Sequence, residues 1–434
     1  VAGEENKKES FDKRIKMKII RKIKHFALVM ILLSGFEAFS QDYLEKYLME
    51  AASNNPGLKS AFNEYLAALE KIPQVGALPD PKVTFGYFIQ PVETRLGPQQ
   101  ARISLMQMLP WFGTLDARKN TATEMAKSKY EMFEEAKSRL FYDVKSVYYN
   151  LYFTGQAIDI TLENIEILNT FLNLALVKFE SGLASAVDLL RVEMEISDLE
   201  NQLALLKDKS YAQQLTFNNL LNVNENREVS LPELLSVSQL PYSRATLLDS
   251  IRSGNHQLKH FSFLESSFTY QEKAASREGN PDFSLGIDYM VIGKSQASMA
   301  TTSESGYDAI VFPMVSISIP LYRQKYRAMV KEAVLLQEAT LNKKEEKINV
   351  LESLYAGADK DYQDAGRRLD HFKIQAERAS KAIRILETDY ATSARNFEEV
   401  LRMERQWLGY RLEQEKARTD LNAAIAFINY LIGG

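Results

Sequence analysis

The chain has no cysteine. That excludes disulfides, thiolate metal sites, cysteine nucleophiles and an anchor made by lipidating a cysteine. Basic excess is missing too: the formal net charge is -4, which argues against a nucleic-acid partner. After Gln41 no eighteen consecutive apolar residues occur, so no transmembrane helix is expected there. A Gly-rich phosphate loop, a His-Glu-x-x-His pair and a nucleophile elbow are all absent, and the polar residues are dispersed, so an enzyme is not expected. His256 and His260 stand one helical turn apart without a carboxylate or third histidine beside them, and His371 adjoins Phe372. Neither arrangement predicts a metal site, and no cofactor is expected.

Proline is absent from 115–179, and there an apolar stripe repeats in steps of four and three: Leu140, Val144, Val147, Leu151, Thr154, Ile158, Thr161, Ile165, Leu168, Leu172, Ala175 and Phe179. This spacing predicts a coiled-coil seam on one long helix, 115–180. At 1.5 Å per residue such a helix reaches on the order of 100 Å. A second helix of the same kind is predicted over 324–390, with Leu369, Phe372, Ala376, Ala379, Ile383, Leu386 and Tyr390 as its seam.

The N-terminus reads as a signal peptide. Met17, Lys18, Arg21, Lys22 and Lys24 precede an apolar run from Phe26 to Phe36, and Ala38, Phe39 and Ser40 suit cleavage before Gln41. A helix follows to about Ile72, with a possible break at Asn55, Pro56 and Gly57. The period then changes to two: Val83, Phe85, Tyr87 and Ile89 alternate with Thr84, Gly86, Phe88 and Gln90, and Ile103 and Leu105 alternate with Arg102 and Ser104. Strands are predicted at about 83–90 and 100–109, each long enough to cross a bilayer when tilted.

The pattern returns. Asn55, Leu58 and Lys59 recur as Asn255, Leu258 and Lys259; Pro81 and Gly86 recur as Pro281 and Gly286; and Leu190, Arg191 and Glu193 recur as Leu401, Arg402 and Glu404. Strands are accordingly predicted again at about 283–292 and 308–319. The expected organisation is an extension and signal over 1–40, a first repeat over 41–221 ending in a helix 185–221, a linker over 222–243 lying on the outside of the bundle, and a second repeat over 244–434 ending in a helix 396–431. The fold class is mainly α with a small β part. Four strands cannot close a membrane barrel, whose smallest form has eight, so the barrel must be shared between chains. A passage wide enough to conduct favours three chains and twelve strands.

From Gln41 to Gly434 the chain resembles the TolC-like outer-membrane efflux family. The resemblance is carried by the duplicated unit, Leu78-Pro79-Asp80-Pro81 before the first strand, Leu109-Pro110-Trp111-Phe112-Gly113 at the strand-to-helix junction, and Phe179-Glu180-Ser181-Gly182-Leu183 at the helical turn. It implies a homotrimer in outer-membrane lipid. A twelve-stranded barrel would continue as a periplasmic coiled-coil barrel that meets a periplasmic adaptor and an inner-membrane pump of the resistance-nodulation-division type. It also places a gate at the helical turns: Asp188 matches a gate acid, Tyr390 and Arg395 match the pair that ties the closed tip, and Glu399 matches an acid of the constriction. Arg402 stands where the family has a second acid, a departure that weakens cation attraction at the entrance. Ser185 with Asp188 and Asn396 with Glu399 also have capping-box spacing, which a helix start uses without any gate. The rival function is a periplasmic coiled-coil adaptor or scaffold, which would share the helices but not membrane-length strands.

Overall fold

The computed structural model describes residues 41–94, 97–237, 239–240, 243–293, 309–393 and 397–434. The expected signal peptide, residues 294–308 between the last two expected strands, and Arg395 with Asn396 lie outside the described residues. The elements in order are α1 Gln41–Asn54, α2 Pro56–Gly76, β1 Lys82–Thr94, β2 Gly97–Leu109, α3 Thr114–Glu180, α4 Ala186–Leu221, α5 Arg244–Gly254, α6 His256–Glu278, β3 Asp282–Ile292, β4 Ala309–Ser318, α7 Arg323–Ser393 and α8 Phe397–Ile432. The chain is mainly α with a small β part.

Two compact units share it. One comprises 1–56, 139–241 and 356–430, the other 57–138, 242–355 and 431–434, and α3 and α7 each contribute residues to both.

In the first unit, the wall of the core is the helical hairpin α3/α4 against α7/α8. Leu168, Phe171 and Ala175 of α3, Val192 and Leu199 of α4, Tyr390 of α7, and Val400, Leu401 and Leu408 of α8 form one buried cluster. The heptad reading of α3 is too narrow. Tyr148, Tyr152, Ile160 and Phe171 lie off the seam yet are buried, while the seam residue Phe179 is 43% exposed and its neighbour Lys178 is buried. A helix packed on more than one partner needs an apolar stripe wider than the two positions per heptad of a simple coiled coil. By length and mean hydropathy α3 also contains a window apolar enough to cross a membrane. Its Ile160, Leu168, Phe171 and Ala175 are spent in this helical core instead. Between α4 and α5 the described residues form no helix or strand, and Val237 and Leu240 lie against Ala365, Leu421 and Ile425 of α7 and α8.

The second unit contains the sheet, in the order β1-β2-β3-β4 with every pair antiparallel. The register puts Phe85, Ile103, Tyr289 and Val311 in one cross-strand row and Thr84, Ser104, Asp288 and Phe312 in the next. One face is therefore apolar and the other largely small or polar. On the apolar face Phe85 is 75% and Ile89 90% exposed. On the other face Asp288 is fully buried and pairs with Arg102. β1 and β4 each leave one edge unpaired among the described residues.

The first hairpin differs from expectation. A loop over Gln90–Gln99 is expected around Pro91, but β1 runs through Pro91 to Thr94 and β2 resumes at Gly97. Pro91 is accommodated because β1 is an edge strand and its register shifts between Tyr87 and Val92. Pro313 sits likewise in the other edge strand, opposite Ile287. At the end of β2, Gly113 takes a left-handed conformation (φ +74) and its carbonyl accepts from the Arg277 guanidinium. A side chain at Gly113 would collide with that guanidinium, so the glycine in the Trp-Phe-Gly turn is dictated by geometry. α2 also outruns its expected end at Ile72, continuing past Pro73 to Gly76.

Candidate functional site at the helical turns

The residues singled out by sequence lie in the first unit, where α3 turns into α4 and α7 approaches α8. The α3–α4 turn closes through left-handed Gly182 (φ +71), with Leu183 N–H donating to the Lys178 carbonyl at 2.8 Å. Ser185 then caps α4. Its hydroxyl accepts from the Val187 N–H at 3.2 Å, and the Asp188 carboxylate accepts from the Ser185 N–H at 3.3 Å. Asp188 is thus used as a capping acid, as its spacing predicts. It also faces Arg191, one of whose nitrogens lies 3.8 Å from it.

Tyr390 is buried near the end of α7. Its ring lies 4.7 Å from that of Phe397, and the Lys178 ammonium stands 4.4 Å from its ring centroid while donating to its backbone carbonyl. Its hydroxyl has no hydrogen-bond partner among the described residues. Burial, helped by the nearby charge of Asp188, raises its pKa above the ordinary phenol range. The two are therefore neighbours without a hydrogen bond between them. Glu399 and Arg402 pair with each other at 2.6 Å on the exposed side of α8. Arg395 lies outside the described residues.

Near the turns, three polar contacts among the described residues join the hairpins, and of their six residues only Tyr390 was a predicted site residue. Lys178 holds Tyr390; Arg191 reaches Glu398 at 3.1 Å as well as Asp188; and Arg405 lies 3.6 Å from Glu195. Lys178 had a signal, since a lysine in the last turn of a helix complements the exposed carbonyls there. Arg191 and Arg405 had none, because α4 and α8 are far apart in sequence and nothing local names their partners. Deeper in the same bundle Glu404 is 2% exposed. Burial, together with the charge of Glu387 and against the influence of the nearby Asn164 amide, pushes its pKa up to about 7.

In the second unit His256 Nδ1 lies 2.7 Å from Glu131 and His260 Nδ1 lies 2.7 Å from the Ser128 hydroxyl. Each histidine is engaged with α3. Glu131 is a carboxylate that sequence could not place beside His256, yet no cluster able to hold a metal forms among the described residues.

Residues 47–223 match the model of the family described as outer membrane efflux protein. No match is found among curated protein sequences. Among solved structures, the outer-membrane channel OprN is 18% identical, with 91% of this chain and 90% of that chain covered and a TM-score of 0.75. The outer membrane protein VceC of Vibrio cholerae is 13% identical, with 91% and 98% covered and a TM-score of 0.73. The open state of the MtrE outer membrane channel of Neisseria gonorrhoeae is 15% identical, with 90% and 89% covered and a TM-score of 0.71. At these identities the likeness is one of fold. It extends over both repeats, whereas the family match covers the first repeat.

Proposed function

We propose that three copies of this chain form the exit duct of a tripartite efflux system in the outer membrane, passing on molecules delivered by a periplasmic adaptor and an inner-membrane pump. The observation that carries this is the sheet. It has an apolar face with side chains up to 90% exposed, an opposite face holding the Arg102–Asp288 pair, and two unpaired edges. Lipid accepts the first face, water the second, and neither accepts an open edge in hydrocarbon, so β1 must pair with β4 of another copy. Trp111, stacked at 6.0 Å on Phe283, and the exposed Phe112 and Tyr322 flank the strand ends and suit the membrane–water interface. An adaptor or scaffold has no use for such a sheet.

On α4, Val187, Leu190 and Met194 make an apolar face that is more than half exposed. A neighbouring copy covers it in the duct. The gate consists of the links at the helical turns. Arg191, bridging Asp188 and Glu398, supplies the tie between turns that Tyr390 lacks through its hydroxyl. Partly exposed pairs of this kind contribute about 0.2 to 1 kcal/mol each. A docking adaptor that prefers the open state can overcome their sum.

Mass measurement of the detergent-purified protein should give three chains. A stable monomer in the absence of detergent overturns the reading. In planar bilayers Arg191→Ala, which unties the two hairpins, should raise single-channel conductance while leaving the trimer intact.

A further inference from the structure

Glu404 occupies a core position. It stands one helical turn from Val400 and from Leu408, both buried in the cluster that packs α8 on α3, α4 and α7. One of its carboxylate oxygens has no hydrogen-bond partner among the described residues. The groups around it offer an ionised carboxylate little help. α3 presents the neutral Asn164. α7 presents Glu387, of like charge. α4 carries Glu195, itself raised by burial and bridged by Arg405. Also on α3 and α8, Glu163 and Arg411 pair with each other at 2.6 Å. A buried carboxyl with a like charge beside it and no cation of its own is retained in the neutral form.

We infer that Glu404, with Glu387 and Asn164, makes the packing of α8 in the turn-side bundle proton-dependent, so that the bundle is tight when Glu404 is protonated and loosens when it ionises. Loosening hydrates the carboxylate and separates it from Glu387, so the loosened state takes over as pH rises from the ordinary carboxylate range to about 7, where the packed-state group titrates. A single such proton changes the ratio of packed to loosened chains by at most about tenfold per pH unit. As part of the proposed duct, the device opens the helical end in neutral surroundings and favours closure in acid. That last step rests on the channel reading. The proton linkage itself does not.

Two measurements on the full detergent-purified chain separate them. Melting temperature at pH 5 and pH 8 should show Glu404→Gln, which mimics the protonated form, more stable than the parent at pH 8 but not at pH 5. Glu387→Gln should move the titration to lower pH, which keeps the test alive if the first variant folds poorly. In bilayers the parent's conductance should rise between pH 5 and pH 7, and Glu404→Gln should stay low and flat. An equal melting difference at both pH values, or a conducting parent whose conductance ignores pH, overturns the inference. If the protein conducts nothing at any pH, the channel reading fails and the melting arm still decides the linkage.

Discussion

The starts of α4 and α8 are copies of one motif put to opposite uses. Leu190, Arg191 and Glu193 recur as Leu401, Arg402 and Glu404, yet Leu190 is 57% exposed where Leu401 is 4% exposed, and Glu193 is exposed where Glu404 is 2% exposed. The buried residue of the first copy is Val192, between its leucine and its acid, whereas the second copy buries Val400, Leu401 and Glu404. One step along a helix turns a side chain by about 100°. The duplicated helices have thus been rotated relative to their cores, and the rotation carries a leucine outward in one copy and a carboxylate inward in the other. Duplication preserved the letters and changed the solvent each one sees. The arginines followed, Arg191 crossing to Glu398 of the other hairpin while Arg402 stays on its own helix with Glu399.

The comparison can be tested copy against copy. The largest contrast should come from the leucines: Leu401→Ala removes a buried side chain and should cost about 2 to 5 kcal/mol in denaturant unfolding, whereas Leu190→Ala should stay within about 0.5 kcal/mol in a dissociated chain. Loss of trimer on Leu190→Ala, with the chain fold intact, would sharpen the contrast by showing what covers that face. Equal losses of fold would break it.

The acids come next. Because Glu404 holds its proton more tightly in the packed chain than in the unfolded one, stability is fully present below the ordinary carboxylate range and is lost as pH rises through about 7. Glu404→Gln should therefore recover up to about 3 kcal/mol above pH 7 and nothing near pH 4, while Glu193→Gln should do nothing at either pH. A pH-dependent gain in both variants would mean that the two acids share one environment after all.

A second duplicated pair gives a smaller effect. Asn55 and Asn255 each stand between two short helices and donate to the carbonyl of a residue near the end of a later helix, Leu220 and Leu431 respectively, both at 2.9 Å. Asn255 is 2% exposed and its side-chain oxygen also caps α6 through the Gln257 and Leu258 N–H groups. Its replacement by Ala should cost about 1 to 2 kcal/mol, and that of the half-buried Asn55 nearer about 1 kcal/mol, in melting experiments. The smallest effects belong to the arginines. Arg191→Ala and Arg402→Ala should each change stability by less than about 1 kcal/mol, but only Arg191→Ala, which unties two hairpins, should change conductance.

How far the sequence could be read depended on whether a feature repeats locally. Helix periodicity, strand alternation and the duplication are local, and they located the long helices to within a few residues. The run of β1 through Pro91 was missed because a proline normally stops a strand, and only the sheet order shows that this strand lies at an edge. At the helical turns, capping by Asp188 was legible because it acts three residues away. Lys178 on Tyr390 and Arg191 on Glu398 join residues more than 200 positions apart, which no single sequence can pair. Glu404 was named only as a repeat partner of Glu193. Its burial follows from the rotation of α8, which leaves no mark in the motif itself.

The two prolines in β1 and β4 set a condition on how this protein is made. Each edge strand carries one residue unable to donate a hydrogen bond, Pro91 on one side and Pro313 on the other. The remaining edge groups cost several kcal/mol apiece in hydrocarbon if they go unpaired. In the proposed duct a single newly made chain would therefore have no low-energy way into a bilayer, and the rate at which the duct appears should rise more steeply than in proportion to the supply of chains. Where chains are scarce they should wait in water with their apolar sheet faces uncovered, in the care of whatever binds such faces, and be the form most exposed to proteolysis.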